Sequence, residues 1–325
     1  KYFMIVNPKF KSLLKDPDIK FTIILGSGFH RQALGNNSIL SNWEILLSRL
    51  THSKNIKGNY ILDFERIVLE RCLKQDVDDI KAASKIEETE KKNLASIIKE
   101  EQKYVLKEIN RFKYPNIFHS EKISDVVSLN FDTVPEYLFG KTGNISKKEN
   151  KSSFNSVKKS GKLSQSFITQ ITSFEEIKIK NEQPIRFWHP HGSIDNPHSM
   201  VLGVAKYAEL VSSTIKIRNH FKANEDKGNN NQTKDLTWLS QIYNNPVIIL
   251  GASISEMEWA MWTAFVHRKR NIAKQENNHH EKPIFQMMSP EDSIDKTKHQ
   301  WFEPLFTGMT FDEQWKELER LFKQQ

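Results

Sequence analysis

Two short apolar runs, each ending at a glycine, constrain the fold of this chain more than any other feature. Residues 21–25 (FTIIL) lead directly into Gly26, and residues 246–250 (PVIIL) lead directly into Gly251. Uninterrupted runs of β-branched and other apolar residues are typical of strands that are buried on both faces of a parallel sheet. Ligands of such sheets bind beyond the carboxyl ends of the strands, so both glycines are predicted to lie at a binding edge.

Two further runs of the same kind extend this pattern. Residues 126–129 (VVSL) end at Asn130, and residues 185–188 (IRFW) end at His189. Segments with helical periodicity separate the strands, for example residues 40–50. This alternation predicts an α/β fold in which helices flank a Rossmann-like, mostly parallel sheet.

Two polar segments interrupt the alternation within what we expect to be a single domain, residues 1–325. Residues 76–113 are highly charged and lack Gly and Pro, which predicts a helical insertion. Residues 141–181 form the second insertion, and their first part, residues 141–166, is dense in Lys, Ser, Asn and Gly. Such a composition cannot bury enough apolar surface to form a core, so we expect this insertion to be flexible. Residues 77–112 and residues 141–166 are candidate docking surfaces for a partner protein.

The chain carries a formal net charge of +8, which raises the question of nucleic-acid binding. The excess lysines lie in polar helices and in an insertion rather than among aromatic residues. The sequence also lacks a zinc-finger or RNP motif. We therefore predict no direct nucleic-acid binding, because basic charge can equally serve an anionic small molecule or an acidic partner protein.

Cysteine content and hydropathy narrow the class of protein further. The single cysteine, Cys72, excludes an intrachain disulfide and any zinc site built from cysteines. No apolar run approaches the ~18–20 residues needed to cross a bilayer. Residues 1–8 have too short an apolar core for a secretory signal. From these features we expect a cytoplasmic protein that does not associate with membranes.

The glycine-containing segments have the chemistry of a phosphate site. Gly26, Ser27 and Gly28 follow a strand, and only glycine lets a backbone come so close to an anion. Arg31 supplies a cation that can pair with a pyrophosphate. Gly251 and Ser253 place small residues near a helix start, a suitable seat for an adenosine ribose or phosphate. The alternatives are a tight strand-to-loop turn at the first segment and helix capping at the second.

Two polar residues flank Phe131 at the end of the strand 126–129. Asn130 and Asp132 are two positions apart, so on an extended chain they point to the same side. An amide beside a carboxylate can hold ribose hydroxyls, a carboxamide or a water molecule. Asp132 can alternatively cap the helix that begins near Thr133.

The histidine cluster at residues 189–191 lies next to a predicted core strand. His191 is the natural general base at neutral pH. Gly192 after it leaves little side-chain bulk where a ligand approaches. The alternative is a metal site that includes His189, His191 and His198.

In their order and spacing these segments resemble the Sir2 (sirtuin) family in its divergent prokaryotic form, the SIR2-like NADase domains of anti-phage defence systems. Residues 25–29 (LGSGF) are similar to the Gly-Ala-Gly motif of the family, and residues 128–132 (SLNFD) to its Asn-x-Asp motif. Residues 188–192 (WHPHG) resemble the segment of the catalytic histidine. Residues 251–253 (GAS) resemble the late Gly-x-Ser nucleotide contact. The resemblance covers most of the chain.

The departures from the sirtuin pattern are also informative. Protein-deacylating sirtuins carry four zinc cysteines, whereas this chain has only Cys72, so no zinc ribbon is expected. Residues 32–35 (QALG) stand near where those enzymes have a Pro-Asp-Phe-Arg run. These departures count against acyl-lysine deacylation, and they leave the NAD-cleaving core that the resemblance implies in place.

The resemblance implies NAD+ as the substrate, nicotinamide and ADP-ribose as products, and no metal. It implies catalytic roles for Asn130, Asp132 and His191. The residues that it implies for binding NAD+ are Gly26, Ser27, Gly28, Phe29, Arg31, Gly192, Gly251 and Ser253.

The resemblance also implies regulation, because an unrestrained NADase would kill its own cell. We expect a gated effector of abortive infection that forms a homo-oligomer and has a defence partner, such as a HerA-type ATPase or another co-encoded sensor. Two other functions remain open: a zinc-less, NAD-dependent protein deacylase, and a module that senses NAD or ADP-ribose without chemistry.

Overall fold

The computed structural model describes residues 5–51, 59–77, 79–117, 120–140, 143–149, 171, 173–179, 184–225, 237–255, 258–274, 282–294 and 298–324. Within them, a small sheet pairs β1 (Ile5–Val6) with β10 (Phe306–Thr307). The main sheet has eight strands. Their order across the sheet is β4 (Gly143–Glu149), β5 (Ser173–Ile179), β6 (Ile185–Trp188), β3 (Ile123–Ser128), β2 (Phe21–Leu25), β7 (Val247–Leu250), β8 (Ile284–Gln286) and β9 (Glu303–Pro304).

Six neighbouring strands of the main sheet are parallel to one another, in the order β6, β3, β2, β7, β8 and β9. Their register brings the predicted motifs to one edge of the sheet. Leu25, the last residue of β2, lies opposite Ser128 of β3 and Leu250 of β7. Val127 of β3 lies opposite Trp188, the last residue of β6. The four segments that follow these strands therefore start at the same level of the sheet. The predicted α/β fold with a mostly parallel sheet is confirmed.

Successive residues of the central strand face two different cores, as the period of a strand requires. Ile23 and Leu25 belong to one core, and Ile24 to the other. All three are fully buried, and burial of each such side chain stabilises the fold by roughly 1.5–3 kcal/mol. The uninterrupted apolar run in the sequence thus reflects a strand that is covered on both sides.

Eleven helices among the described residues surround the sheet. They are α1 (Pro8–Lys15), α2 (Gly28–Leu34), α3 (Trp43–Thr51), α4 (Tyr60–Lys74), α5 (Ile80–Lys107), α6 (Val134–Gly140), α7 (Val204–Glu225), α8 (Trp238–Asn244), α9 (Trp259–Lys274), α10 (Pro290–Ile294) and α11 (Phe311–Lys323). Helices α1 and α11 contribute Phe10 and Leu318 to one core. Helices α7 and α9 contribute Leu210 and Phe265 to the other.

The predicted helical insertion, residues 76–113, contains α5, followed by a short 3₁₀ turn at Ile109–Arg111. Asp79 caps the start of helix α5, and its carboxylate accepts a hydrogen bond from the Lys81 backbone N–H. Its residue Leu94 is fully buried in a third core with residues of α3 and α4. The charged sequence therefore includes one apolar face, which packs on two neighbouring helices.

The ends of the second predicted insertion, residues 141–181, are strands. β4 pairs with β5, and β5 with β6, both antiparallel, so they extend the parallel sheet at one edge. Phe174 of β5 packs against Trp188, with ring centroids 4.7 Å apart. Pairing at a sheet edge is made by backbone groups, so a polar sequence can take part. Residues 150–170 lie outside the described residues. The expectation that this part of the insertion is flexible therefore stays a prediction.

None of the described helices combines the length and the apolar character needed to cross a membrane.

Candidate functional site

A cleft with a volume of about 1140 Å³ opens at the edge where the parallel strands end. Segments that follow β2, β3, β6 and β7 line it, which is where ligands of open α/β sheets bind. Most of the residues selected from the sequence lie in its wall. They are Gly26, Ser27, Gly28, Arg31, Asn130, His191, Gly251 and Ser253.

The two glycine segments touch each other in the floor of the cleft. The Gly28 N–H donates a hydrogen bond of 2.8 Å to the Gly251 carbonyl, and Gly26 N–H donates one of 3.0 Å to the carbonyl of Leu250. A Cβ atom on Gly28 would lie only 2.6 Å from Gly251 Cα. Gly251 itself has a φ of +62°. Close packing of two loops thus requires these glycines, and the result is a wall of bare backbone next to the cleft.

Arg31 brings a positive charge to this wall. It lies in α2, the helix that begins at Gly28, and its Nη2 donates a long hydrogen bond of 3.4 Å to the Ser41 carbonyl. Ser27, just before the helix, makes no capping hydrogen bond with its side chain. A cation and a hydroxyl beside glycines that let a ligand come close suit a phosphate group.

Phe29 points away from the cleft. It is fully buried, and its ring lies 5.1 Å from that of Tyr114 and 6.2 Å from that of Trp315. The structure therefore places Phe29 in the core beneath the glycine segment, where it supports α2.

Asn130 lines the cleft and has a buried amide nitrogen whose hydrogen-bonding capacity is unused within the described part of the chain. The residue is 9% exposed, and its Nδ2 has no hydrogen-bond partner among the described residues. A buried polar group without a partner costs about 1–3 kcal/mol, so such a group usually has a reason. A ligand that accepts a hydrogen bond in the cleft would supply the missing partner.

Asp132 lies behind the cleft wall rather than in it. Its Oδ1 accepts a hydrogen bond from the Val134 N–H, which begins α6, and its Oδ2 is 3.0 Å from His30 Nε2. His30 Nδ1 is in turn 3.0 Å from the Tyr114 hydroxyl. Burial opposes the charge of Asp132, but His30 lowers its pKa below the usual value. The carboxylate therefore holds the loop that carries Asn130.

A second buried pair supports the same loop. His189 Nε2 lies 2.5 Å from Glu136 Oε1, and His189 Nδ1 is 3.2 Å from the Asn130 carbonyl. Burial disfavours the imidazolium, yet the Glu136 carboxylate raises the pKa of His189 to about 9. His189 is then a cation at neutral pH that donates to the Asn130 backbone.

His191 is 5% exposed and has its own carboxylate partner. Its Nε2 lies 3.4 Å from Glu258 Oε2, and the ring also hydrogen bonds to the backbone of Leu129. Burial lowers the pKa of His191, but Glu258 outweighs this effect and the net pKa is raised. The imidazole therefore has both the position and the proton affinity of a base.

Gly192 serves the turn after His191 and does not line the cleft. Its φ is +82°, and a Cβ atom there would lie 2.1 Å from the Ser199 carbonyl oxygen. Any other residue would push this turn away from Ser199, so the glycine fixes how the His191 backbone is held.

The alternative metal site finds no support in the described part of the chain. His189 pairs with Glu136, and His198 is 56% exposed and lies 3.5 Å from Glu88. The described residues contain no cluster of three or more metal-ligating side chains.

Sequence reasoning missed Glu258, Tyr60 and the pairs made by His30 and His189. Glu258 follows the Gly251 segment closely in the sequence, which is a weak signal for a cleft residue. Its pairing with His191 has no local signal, because the two residues lie after different strands. Tyr60 lines the cleft from α4, with no motif around it.

A comparison with known protein families finds a match over the part of the chain that carries most of the cleft residues. Residues 124–307, more than half of the chain, match the family model described as a SIR2-like domain. The match includes Asn130, His191, Gly251 and Ser253, and it begins after the Gly26 segment. No curated protein matches the chain.

Proposed function

The chain belongs to the SIR2-like domain family, which implies an NAD-related activity, and on this premise we propose that it hydrolyses NAD+ to nicotinamide and ADP-ribose. The observation that carries the proposal is the presence of Asn130 and His191 in the wall of one cleft. The Asn130 amide nitrogen has no hydrogen-bond partner among the described residues, and His191 lies 3.4 Å from a carboxylate that raises its pKa. A dinucleotide fits a cleft of about 1140 Å³.

The chemistry needs little more than these two groups. Cleavage of the nicotinamide–ribose bond passes through a state that resembles an oxocarbenium ion, as in glycoside hydrolysis. The pyridinium is a good leaving group and departs with the bonding electrons as neutral nicotinamide. Asn130 orients the ribose and the attacking water, and His191 takes the proton that the water loses. No metal is required for these steps.

The wall of the cleft suggests how the rest of the substrate is held. The pyrophosphate is expected at Gly26 to Gly28, where Arg31 compensates its charge. The adenosine is expected near Gly251 and Ser253. In this arrangement Asp132 contributes through the loop that it holds, and Phe29 and Gly192 through the backbone that they support.

The test is a chromatographic assay of nicotinamide and ADP-ribose release from NAD+ over hours. The wild type is compared with His191→Ala and with a control, His198→Ala, whose side chain is exposed and lies outside the cleft wall. We expect release by the wild type and the control only. Equal release by His191→Ala would overturn the assignment. Release that depends on an acylated peptide would indicate a deacylase, and tight binding without release a sensor.

We further propose that this activity is the gated output of an anti-phage effector. An NADase that ran constantly would deplete the NAD+ of its own cell, so oligomerisation or a co-encoded partner must restrain it. The test is to measure the NAD+ pool before and after phage infection in cells that carry the wild type or His191→Ala. A pool that falls only in infected wild-type cells supports the effector role, and equal pools contradict it.

A further inference from the structure

Glu258 is the centre of a buried cluster that joins four separate parts of the chain. Its Oε2 lies 3.4 Å from His191 Nε2. The Tyr60 hydroxyl donates a hydrogen bond of 2.8 Å to Oε1, and the Tyr207 hydroxyl donates one of 3.3 Å to Oε2. Tyr60 comes from α4, Tyr207 from α7, and Glu258 immediately precedes α9. Glu258, Tyr60 and His191 all line the cleft.

This carboxylate is kept ionised although it is only 9% exposed. Burial raises the pKa of Glu258, but His191 and the two tyrosine hydroxyls lower it below the usual value. Burial and Glu258 in turn raise the pKa values of Tyr60 and Tyr207, so both remain hydroxyl donors at all ordinary pH values. A buried carboxylate costs several kcal/mol unless it is partnered in this way, and two neutral donors partner it without cancelling its charge.

The contact between His191 and Glu258 favours the protonated imidazole. His191 Nε2 lies 3.4 Å from Glu258 Oε2, which is longer than a normal N–H···O hydrogen bond but within reach of an ion pair. A proton on the imidazole makes it a cation, and the ionised carboxylate stabilises that cation. Burial strengthens this attraction relative to water.

We propose that Glu258 is the positioning residue of His191: held by Tyr60 and Tyr207, it orients the imidazole at the cleft and stabilises the imidazolium that forms when His191 takes a proton from the attacking water. This inference rests on the proposed NAD+ hydrolysis. In that step the water oxygen forms a bond to the ribose carbon and loses a proton to the imidazole of His191. The bond from that carbon to nicotinamide breaks, and its electron pair leaves with nicotinamide.

The role predicts a specific pH signature. His191 must be neutral to accept a proton, so kcat/KM rises with pH as His191 loses its own proton. Replacement of Glu258 by Gln removes the negative charge and lowers the pKa of His191. The rising limb of the pH profile then moves to lower pH by about one unit or more. The plateau falls at the same time by about tenfold or more, because the imidazolium is no longer stabilised.

The experiment combines an NMR titration with the pH profile of NAD+ cleavage. Protein labelled with ¹⁵N at histidine is titrated as the wild type and as Glu258→Gln, and His191→Ala identifies the resonance of His191. The control is Glu88→Gln, which removes the carboxylate beside the exposed His198. The titratable side chains that contact or stack near His191 among the described residues are Glu258 and Tyr207, whose ring lies 6.1 Å away.

We expect Glu258→Gln to lower both the titration midpoint of His191 and the rising limb, and Glu88→Gln to change neither. An unchanged midpoint would overturn the proposal. A lowered midpoint with an unmoved limb would also overturn it, since the contact would then be structural only. Should Glu258→Gln fail to fold, Glu258→Asp retracts the charge by one methylene and must move both readouts in the same direction. If neither the purified wild type nor infected cells that carry it cleave NAD+, the proposed function is overturned, while the titration still decides whether Glu258 sets the protonation of His191.

Discussion

Gly28 and Gly251 hold two distant segments of the chain together through a backbone hydrogen bond of 2.8 Å. The contact joins the loops after β2 and β7, which are neighbours in the sheet. A side chain on either glycine would collide with the other segment, because a Cβ atom on Gly28 would lie 2.6 Å from Gly251 Cα and one on Gly251 would lie 2.6 Å from Phe29 N. The floor of the cleft therefore depends on both glycines.

Replacement of Gly28 by Ala should disturb this floor, because the added Cβ would lie 2.6 Å from Gly251 Cα. We expect a loss of about 1–3 kcal/mol in the free energy of unfolding. ADP-ribose should also bind more weakly, which isothermal titration calorimetry and urea unfolding would measure. Gly203→Ala is the control: it introduces similar strain, at a φ of +80°, away from the cleft wall. It should destabilise the protein and leave ADP-ribose affinity unchanged, and equal affinities of wild type and Gly28→Ala would contradict the prediction.

Replacement of Asn130 by Ala should separate activity from stability. The variant loses the amide that we propose to orient ribose and water, so NAD+ cleavage should fall by about 100-fold or more. It also removes a buried donor that has no partner among the described residues, so the free energy of unfolding should stay equal or rise by about 1 kcal/mol. Asn196→Ala, at an exposed site outside the cleft wall, should change neither quantity. A large loss of stability in Asn130→Ala would show that the amide serves the fold.

Replacement of Arg31 by Ala should weaken the binding of the pyrophosphate. We expect the Kd of ADP-ribose to rise about tenfold, since a charge-assisted hydrogen bond contributes roughly 1.5 kcal/mol or more. The wild-type affinity should fall as salt is added, and the variant should respond less. Arg111→Ala removes a guanidinium that is 72% exposed and paired with Glu108, and it should leave the Kd unchanged. The same salt dependence in Arg31→Ala and the wild type would refute a direct contact.

The pair of His189 and Glu136 should make stability depend on pH in the alkaline range. Burial opposes the charge of His189, but Glu136 raises its pKa from 6.5 to about 9 in the folded protein. A histidine whose pKa is higher in the folded than in the unfolded protein stabilises the folded state. This contribution is fully present below the pKa of the unfolded state, and it is lost as the pH rises through the pKa of the folded state. We therefore expect the free energy of unfolding to fall between about pH 6.5 and 9, as urea titrations at several pH values would show.

Glu136→Gln tests the origin of this dependence. It leaves His189 without its buried carboxylate, so stability at pH 6 should fall by about 3–5 kcal/mol and the alkaline decline should flatten. Glu108→Gln, which breaks the exposed pair with Arg111, should cost no more than about 1 kcal/mol and keep the decline. If the free energy of unfolding of Glu136→Gln still falls between about pH 6.5 and 9, the prediction is contradicted, because the pH dependence must then come from a group other than the His189–Glu136 pair.

Much of the fold could be predicted from local sequence, because the relevant signals are local. A run such as residues 21–25 is apolar on both faces, which only a covered strand satisfies. The glycines after the strands predicted the edge of the sheet at which the cleft opens, and eight of the eleven selected residues lie in the cleft wall. The strands β4 and β5 were not predicted, because edge pairing depends on the backbone of a neighbour and leaves no apolar pattern.

The sequence by itself determined the alternation of strands and helices, the family resemblance, and most of the predicted site residues that line the cleft. Tertiary structure decided which side chains support them: Asp132 pairs with His30, His189 with Glu136, and His191 with Glu258. Each of these pairs joins segments that only the strand order and the helix packing bring together. The charge on an imidazole follows from the carboxylate beside it, so the protonation of His191 is a property of the folded chain and not of its motif.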